Sequence, residues 1–389
     1  MFRKKIAVSF CIWLLWVSLL GSCSTQPAPI ETVPAKTPSR IEATTPTIEE
    51  SPTTIQTNLT LTPNPTITST PYPLEGEIYF LERTSVIVIE ASTGKSHVLL
   101  EEPTVIGDPI PAPTGNVYFL YGGSSGQWQL YGVRLNGSDL KRLTYDADYD
   151  NTLSISRDGT RIAFIQRLFA GGGADTISVI DYRHGGLAGG VFSSANKVIT
   201  SLSWSNNGEK LAFFLWNEDV RFNQEPIYGD LYIMNSNGTN LTQIKTDLPL
   251  VMDAPTWSPD DSQIAVPAYD NTGVNLYVID VKSQVMKKIT DSNGEMRHPI
   301  WSPSGEKILF MHSTNYYTVS PDGTNQKFLA DHAPDPNFAY KAAAWSPDGY
   351  YLAITRYDSL VIVNAEGGAP FQLSIESPSN ISWIKSTQP

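Results

Sequence analysis

The sequence predicts an all-β fold, a seven-bladed β-propeller of four-stranded blades. A motif centred on a tight turn, which in its fullest form follows a Trp strand, occurs seven times, and a second strand motif lies between its copies. In addition, the C-terminal residues supply the one strand that the first repeat lacks. Four strands in each repeat of about 40 to 45 residues are typical of a propeller blade.

The first motif is "WSPDG", Trp345 to Gly349, followed by the apolar run "YYLAIT". Pro presets φ within the turn and Gly tolerates a left-handed backbone at its end, so the motif predicts a hairpin. Similar motifs start at Trp257 and Trp301, and weaker copies complete the set. The turn-closing residues are Gly76, Gly115, Gly159, Gly208, Asp261, Gly305 and Gly349. Because the motif repeats, we interpret Ser346 and Asp348 as residues that hydrogen-bond the turn rather than as catalytic groups, and the Trp as filling the space between blades.

The second motif predicts a strand, a turn and a shorter strand, as in "LYIMNSNGTNLTQI" from Leu231 and "LYVIDVKSQVMKKIT" from Leu276. The first repeat, which begins at Gly76, has no Trp strand of its own, and "NISWIK" around Trp383 supplies one. Pairing of these two ends closes the ring and removes its exposed sheet edges. We therefore expect a propeller over residues 76–389, closed by the C-terminal strand that completes the first blade.

Together the two motifs resemble the WD-like Asp-Gly repeats of TolB-type propellers, which also occur in prolyl-oligopeptidase-like enzymes. The resemblance covers Gly76 to Trp383 and implies the propeller fold, which hosts many unrelated functions. The sequence departs from TolB because no α/β domain precedes the repeats and because we count seven of them rather than six. Six residues follow Trp383, so we expect no hydrolase domain and no enzymatic activity.

Residues 1–22 have the three parts of a signal peptide: the basic start Arg3 to Lys5, an apolar core and small residues at the end. The core is too short for a spanning helix. The end, "LGSC", resembles the lipobox of bacterial lipoproteins, and this resemblance implies lipidation of Cys23. The alternative is an ordinary signal peptide followed by a chance Cys. We expect the chain to be lipid-anchored in the bacterial cell envelope, on the exported side of the membrane, either periplasmic or at the cell surface.

Residues 23–75 comprise the Cys and a segment in which nearly half the residues are Thr or Pro. Such a composition cannot bury enough apolar surface to fold, so we expect a disordered tether. The tether either spaces the propeller from the membrane or is a linker without a function of its own.

The formal net charge of −12 and the pI of about 4.9 disfavour nucleic acid as a partner. We expect contact with the membrane through the lipid anchor only. The expected partner of the monomeric chain is an envelope or extracellular protein, a peptide or a glycan.

Few residues suggest metal or nucleophile chemistry. "GGSSG", Gly122 to Gly126, lacks the helix that a nucleophile elbow requires. Asp146, Asp148 and Asp150 alternate as the first ligands of a calcium loop do, but without its Gly and its final Glu. We interpret them as an acidic loop, with calcium as the alternative, and we expect no other cofactor.

The loops opposite the repeated turns are irregular in length, which is where rigid scaffolds place recognition. The longest insertion carries Trp216, Arg221, Phe222 and Tyr228, none of which the blade repeat explains. Just ahead of the Trp positions lie further polar residues that either bind a ligand or pair with one another: Asp253, Arg297, His298 and Lys341. We therefore expect a binding or scaffold module. The alternative is a propeller hydrolase or lyase that acts at the mouth of the central channel.

Overall fold

The computed structural model describes residues 74–82, 85–101, 109–122, 128–144, 148–167, 175–182, 188–194, 197–217, 228–331, 343–356, 359–374 and 378–385. These residues form strands and turns, with no α-helix among them. No helix in this described part is long and apolar enough to cross a membrane. The predicted signal peptide, Cys23 and nearly all of the predicted tether lie outside these ranges.

Five sheets have four strands each, and consecutive strands within a sheet run antiparallel, as expected for propeller blades. The first three sheets consist of β1 (Glu77–Glu82), β2 (Ser85–Glu90), β3 (Ser96–Glu101) and β29 (Pro378–Ile384); β4 (Ile110–Ala112), β5 (Asn116–Gly122), β6 (Trp128–Arg134) and β7 (Lys141–Arg142); and β8 (Asp148–Ile155), β9 (Arg161–Arg167), β10 (Asp175–Asp181) and β11 (Ala188–Ser194). The last two consist of β21 (Met296–Trp301), β22 (Ile308–His312), β23 (Asn315–Val319) and β24 (Lys327–Asp331); and β25 (Ala343–Trp345), β26 (Tyr351–Arg356), β27 (Ser359–Asn364) and β28 (Phe371–Ser374).

The chain between the third and fourth of these blades forms a single nine-stranded sheet. Its strands are β12 (Lys197–Trp204), β13 (Lys210–Asn217), β14 (Tyr228–Asn235), β15 (Thr242–Gln243), β16 (Leu250–Val251), β17 (Thr256–Trp257), β18 (Gln263–Asp270), β19 (Gly273–Asp280) and β20 (Met286–Lys288). The prediction of seven separate four-stranded blades is therefore wrong: the hydrogen bonding gives five such blades and one larger sheet.

In the larger sheet, residues 252–255 belong to no strand and separate two short strands. The inner strand that leads to Trp257 is divided there into β16 and β17. The short β16 pairs with β18 through Leu250 and also with β14, where Tyr228 lies opposite Val251.

The repeated turns have the predicted register. All seven turn-closing residues have positive φ, from 61° at Asp261 to 94° at Gly76. Inside the turn the Ser346 hydroxyl lies 2.5 Å from Asp348 Oδ1, and the amide of Tyr351 donates to the Ser346 oxygen at 2.9 Å. The interpretation of Ser346 and Asp348 as residues that hydrogen-bond the turn is confirmed.

The repeated Trp side chains are buried between neighbouring sheets, as predicted. Trp345 packs on Leu309 and Met311 of the preceding blade and is 6% exposed. Its indole N–H donates across the junction to the Ile300 carbonyl at 3.1 Å, and Trp301 and Trp204 make the corresponding bonds. The junctions at Trp204, Trp301 and Trp345 therefore combine an apolar core with an oriented hydrogen bond, whereas the buried indole N–H of Trp257 has no partner among the described residues.

The C-terminal strand completes the first sheet. In β29, Trp383 lies opposite Ile78 of β1, and Ile384 lies opposite Glu77. Trp383 also belongs to one core cluster with Ile78 and with Leu360 of the last blade. The predicted pairing of the two ends of the propeller is observed.

Candidate functional site

The strand ends opposite the repeated turns, which we call the irregular face, contain a cleft of about 450 Å³ in the nine-stranded sheet. Trp216 lies near the end of β13, and Tyr228 is the first residue of β14. Both side chains line the cleft together with the segment Thr246–Leu250. Two of the insertion residues that the sequence predicted for binding, Trp216 and Tyr228, therefore lie at one concave site.

The Thr246–Leu250 segment is fixed in place as the far wall of this cleft. The Thr246 hydroxyl donates to the Leu248 carbonyl at 3.0 Å, and the Tyr269 amide donates to the Pro249 carbonyl at 3.0 Å. Beside it, a Cβ on Gly229 would lie 2.8 Å from Met252 Sδ, so glycine permits the close approach of β14. The wall is thus held to both neighbouring strands.

Tyr269 lies beside Tyr228, next to the residues that line the cleft. Its ring packs edge-on against Tyr228 with centroids 6.2 Å apart, and 45% of the residue is exposed. Partial burial raises the pKa of Tyr228, the neighbouring Tyr269 adds to the rise, and the positive charge of Arg297 opposes it. Tyr228 therefore lies within electrostatic reach of Arg297, another of the predicted site residues.

The charged groups around the cleft largely pair with one another. Lys197 Nζ lies 3.6 Å from Asp230 Oδ2, and Arg297 Nη2 lies 3.7 Å from Glu295 Oε2. Asp247 also lines the cleft and is exposed. Exposed pairs of this kind contribute little to stability, but they leave the cleft with no large net charge.

Further toward the inner strands, Asp253 and His298 form a close pair between consecutive repeats. Asp253 Oδ1 lies 2.9 Å from His298 Nδ1, and the His298 amide donates to Oδ2 at 2.5 Å. Burial of the carboxyl, which is 9% exposed, raises the pKa of Asp253, but the hydrogen bonds from His298 outweigh this and the net pKa is lowered. A carboxylate that orients an imidazole in this way can hold a fold together or support general-base chemistry.

The backbone of His298 is adapted to this contact. Its φ is +53°, uncommon for a residue with a side chain, and it lies in an irregularity of β21 between Arg297 and Ile300. Of the two outcomes that the sequence left open for these polar positions, pairing is observed for Asp253 and His298.

The other predicted site residues lie elsewhere. Cys23, Arg221, Phe222, Lys341 and Asp146 lie outside the described residues. Asp148 and Asp150 belong to β8 rather than to a loop, and the structure does not describe their side chains. Within the described part of the chain, no group of three or more acidic, His or Cys side chains could hold a metal ion. Calcium binding by the three aspartates thus stays an untested alternative.

Sequence reasoning missed Tyr269. Its signal was present in "QIAVPAYDNTG", where an aromatic residue precedes an Asp-Asn-Thr-Gly turn at a strand end. The turn sits on the irregular face, so an outward-facing residue beside it belongs to the same surface as Tyr228.

A model of the TolB β-propeller domain matches residues 160–367, more than half of the chain. A probable dipeptidyl peptidase 4 of Aspergillus fumigatus is 30% identical over 96 residues, which is 21% of this chain and 12% of the relative. The chain therefore matches only a small part of that longer protein.

Among solved structures, an oligogalacturonate lyase in complex with manganese superposes with a TM-score of 0.57 at 13% identity, over 75% of this chain and 82% of the lyase. TolB from Acinetobacter baumannii superposes with a TM-score of 0.50 at 14% identity, over 79% and 81% of the two chains. At these identities the likeness shows the fold alone. On the family match, the chain belongs to the TolB β-propeller family.

Proposed function

We propose that this chain is a binding or scaffold module of the bacterial cell envelope that recognises a protein, a peptide or a glycan at its irregular face. The observation that carries the proposal is the aromatic cleft, which is lined by Trp216 and Tyr228 and has the exposed Tyr269 packed against Tyr228. The repeated core positions of a blade do not require these side chains, and partly exposed Tyr and Trp are the residues that most often dominate binding energy. The cleft lies on strands fixed by two neighbouring parts of the sheet, which suits recognition without rearrangement.

The proposal includes a location. The predicted signal peptide at residues 1–22 and lipidation of Cys23 would place the protein on the exported side of the membrane, and the predicted tether would hold the propeller away from the lipid. The acidic composition supports attachment by the acyl chains rather than by a basic surface.

We further propose that the blades close into a ring of seven units, with the nine-stranded sheet acting as two of them. Its halves β12–β15 and β16–β20 each carry one copy of the repeated turn. Pairing of β29 with β1, and packing of Trp383 against the last blade, support closure. A closed ring would keep the cleft geometry rigid.

A second candidate function is a hydrolase or lyase that acts at the channel mouth. The paired Asp253 and His298 favour it, because a buried carboxylate that orients a partly exposed imidazole can serve as a general base. The fold shared with an oligogalacturonate lyase is compatible with this alternative. The purified full-length chain would be assayed on peptides and oligosaccharides. Activity that is lost in Asp253→Asn would favour the enzyme over the binding module.

The binding function is tested by capture from envelope extract with the full-length chain. We expect Tyr228→Ala combined with Tyr269→Ala to abolish capture of the partner that the parent protein retains. Tyr350→Ala is the matched control, since Tyr350 is 43% exposed, close to the 45% of Tyr269, but lies in a repeated turn. Equal capture by all three proteins would overturn the proposal.

A further inference from the structure

We propose that the aromatic cleft binds an uncharged saccharide. The inference rests on the proposed binding function and names the ligand class of the same site. A cleft of about 450 Å³ falls within the range of small-ligand sites, about 300–1,000 Å³, and accepts a short segment of a chain rather than a broad protein surface. Aromatic side chains offer flat apolar faces, which match the C–H faces of a pyranose ring.

The charges around the cleft favour a ligand without net charge. Lys197 is paired with Asp230, Arg297 is close to Glu295, and Asp247 adds one exposed carboxylate. An anionic ligand would meet two carboxylates at the cleft, and a cationic ligand would meet Lys197. A cationic ligand would have to compete with Lys197 for Asp230, and an ion pair with the exposed Asp247 would contribute little.

Hydrogen-bonding capacity further distinguishes a saccharide from a peptide. The carboxylates of Asp230 and Asp247 only accept hydrogen bonds, whereas the Thr246 hydroxyl already donates to Leu248 and the Trp216 indole N–H is buried. The Lys197 ammonium and the Tyr228 hydroxyl at the same cleft can donate, so the lining offers both donors and acceptors. Saccharide hydroxyls match such a lining, because each can donate and accept. A polyproline-type peptide has no backbone N–H and would offer no donor to the carboxylates of Asp230 and Asp247.

Strand addition is also unfavourable at the cleft. β14 pairs with β13 on one side, and on the other side it pairs with β15 through Tyr232 and Ile233 and with β16 through Tyr228 and Gly229. The edge that an extended peptide would need is therefore occupied. Of the three ligand classes proposed, the glycan fits these observations best.

The experiment titrates the full-length chain by calorimetry with three neutral probes, cellohexaose, maltohexaose and N-acetylchitohexaose. Trigalacturonate, pentalysine and decaproline serve as anionic, cationic and polyproline probes. We expect at least one neutral probe to bind more tightly than about 1 mM, a weak but measurable affinity. Tyr269→Ala and Asp230→Asn should each weaken it about tenfold or more, whereas Tyr350→Ala should leave it unchanged.

The results separate the two proposals. Failure of all three neutral probes to bind, or binding unaffected by both Tyr269→Ala and Asp230→Asn, overturns the saccharide inference. Binding of a charged or polyproline probe that is lost in Tyr269→Ala also overturns it, but preserves the cleft as the binding site. The capture experiment with Tyr228→Ala and Tyr269→Ala tests the binding function independently of ligand class.

Discussion

Replacing Trp383 by Ala tests whether the C-terminal strand contributes as much to the free energy of unfolding as the strands inside the chain do. Trp383 is 7% exposed, packs with Ile78 and Leu360, and donates its indole N–H to the Glu75 carbonyl at 2.9 Å. Truncation of a buried Trp to Ala costs about 3–5 kcal/mol, to which one such hydrogen bond contributes about 1 kcal/mol. We expect a loss in this range if the strand is an integral part of a closed ring.

Trp345→Ala is the matched control. Trp345 is 6% exposed, and its indole donates at 3.1 Å to the carbonyl of Ile300, but it lies within the chain rather than at the end. The free energy of unfolding of each full-length variant would be measured by urea titration, with the slope checked against that of the parent. Similar losses in both variants would indicate that both junctions are closed to the same degree.

The reasoning is refuted if Trp345→Ala costs several kcal/mol while Trp383→Ala costs less than about 1 kcal/mol, as expected for a fraying terminus. In that case the pairing of β29 with β1 would contribute little to stability, and closure of the ring would have to be abandoned.

Three other predictions concern strain, acid sensitivity and anchoring. Gly238→Ala should lower the melting temperature, because φ is +84° and the new Cβ would lie 2.0 Å from the Val191 carbonyl oxygen; an unchanged melting temperature would contradict this packing. Burial raises the pKa of Asp270, but the hydrogen bonds it accepts, including one from Tyr277 at 2.6 Å, lower it overall. Because the folded-state pKa lies below the unfolded value of about 3.9, this carboxylate stabilises the fold above that pH and loses the effect as the pH falls further. The urea midpoint of Asp270→Asn should therefore be lower than that of the parent at pH 7, and the difference should become smaller as the pH falls from about 4 to about 2, whereas a constant difference would refute the linkage. Cys23→Ser should move the protein from the membrane to the soluble fraction or block its processing, and unchanged fractionation and mobility would exclude lipidation.

The candidate site could be located from the sequence only in part. Trp216 and Tyr228 were identifiable because they flank an insertion that the repeat does not require. Tyr269 was not, since its contact with Tyr228 joins strands that are far apart along the chain. His298 was recognised as a polar residue ahead of a Trp, but its positive φ and its bond to Asp253 depend on the neighbouring repeat.

The sequence by itself determined the repeat, its register and the burial of its Trp residues. These features arise from local chemistry: a Pro-Asp-Gly turn has few backbone conformations, and the near-continuous apolar runs that follow it suit strands buried on both faces. Tertiary structure alone decided that β16 pairs with β14 as well as with β18, that Asp253 reaches His298, and that a cleft forms beside Tyr228. Each of these features depends on the distance between separate elements. Local turn and strand preferences do not set that distance, because it is fixed by how neighbouring units pack against one another.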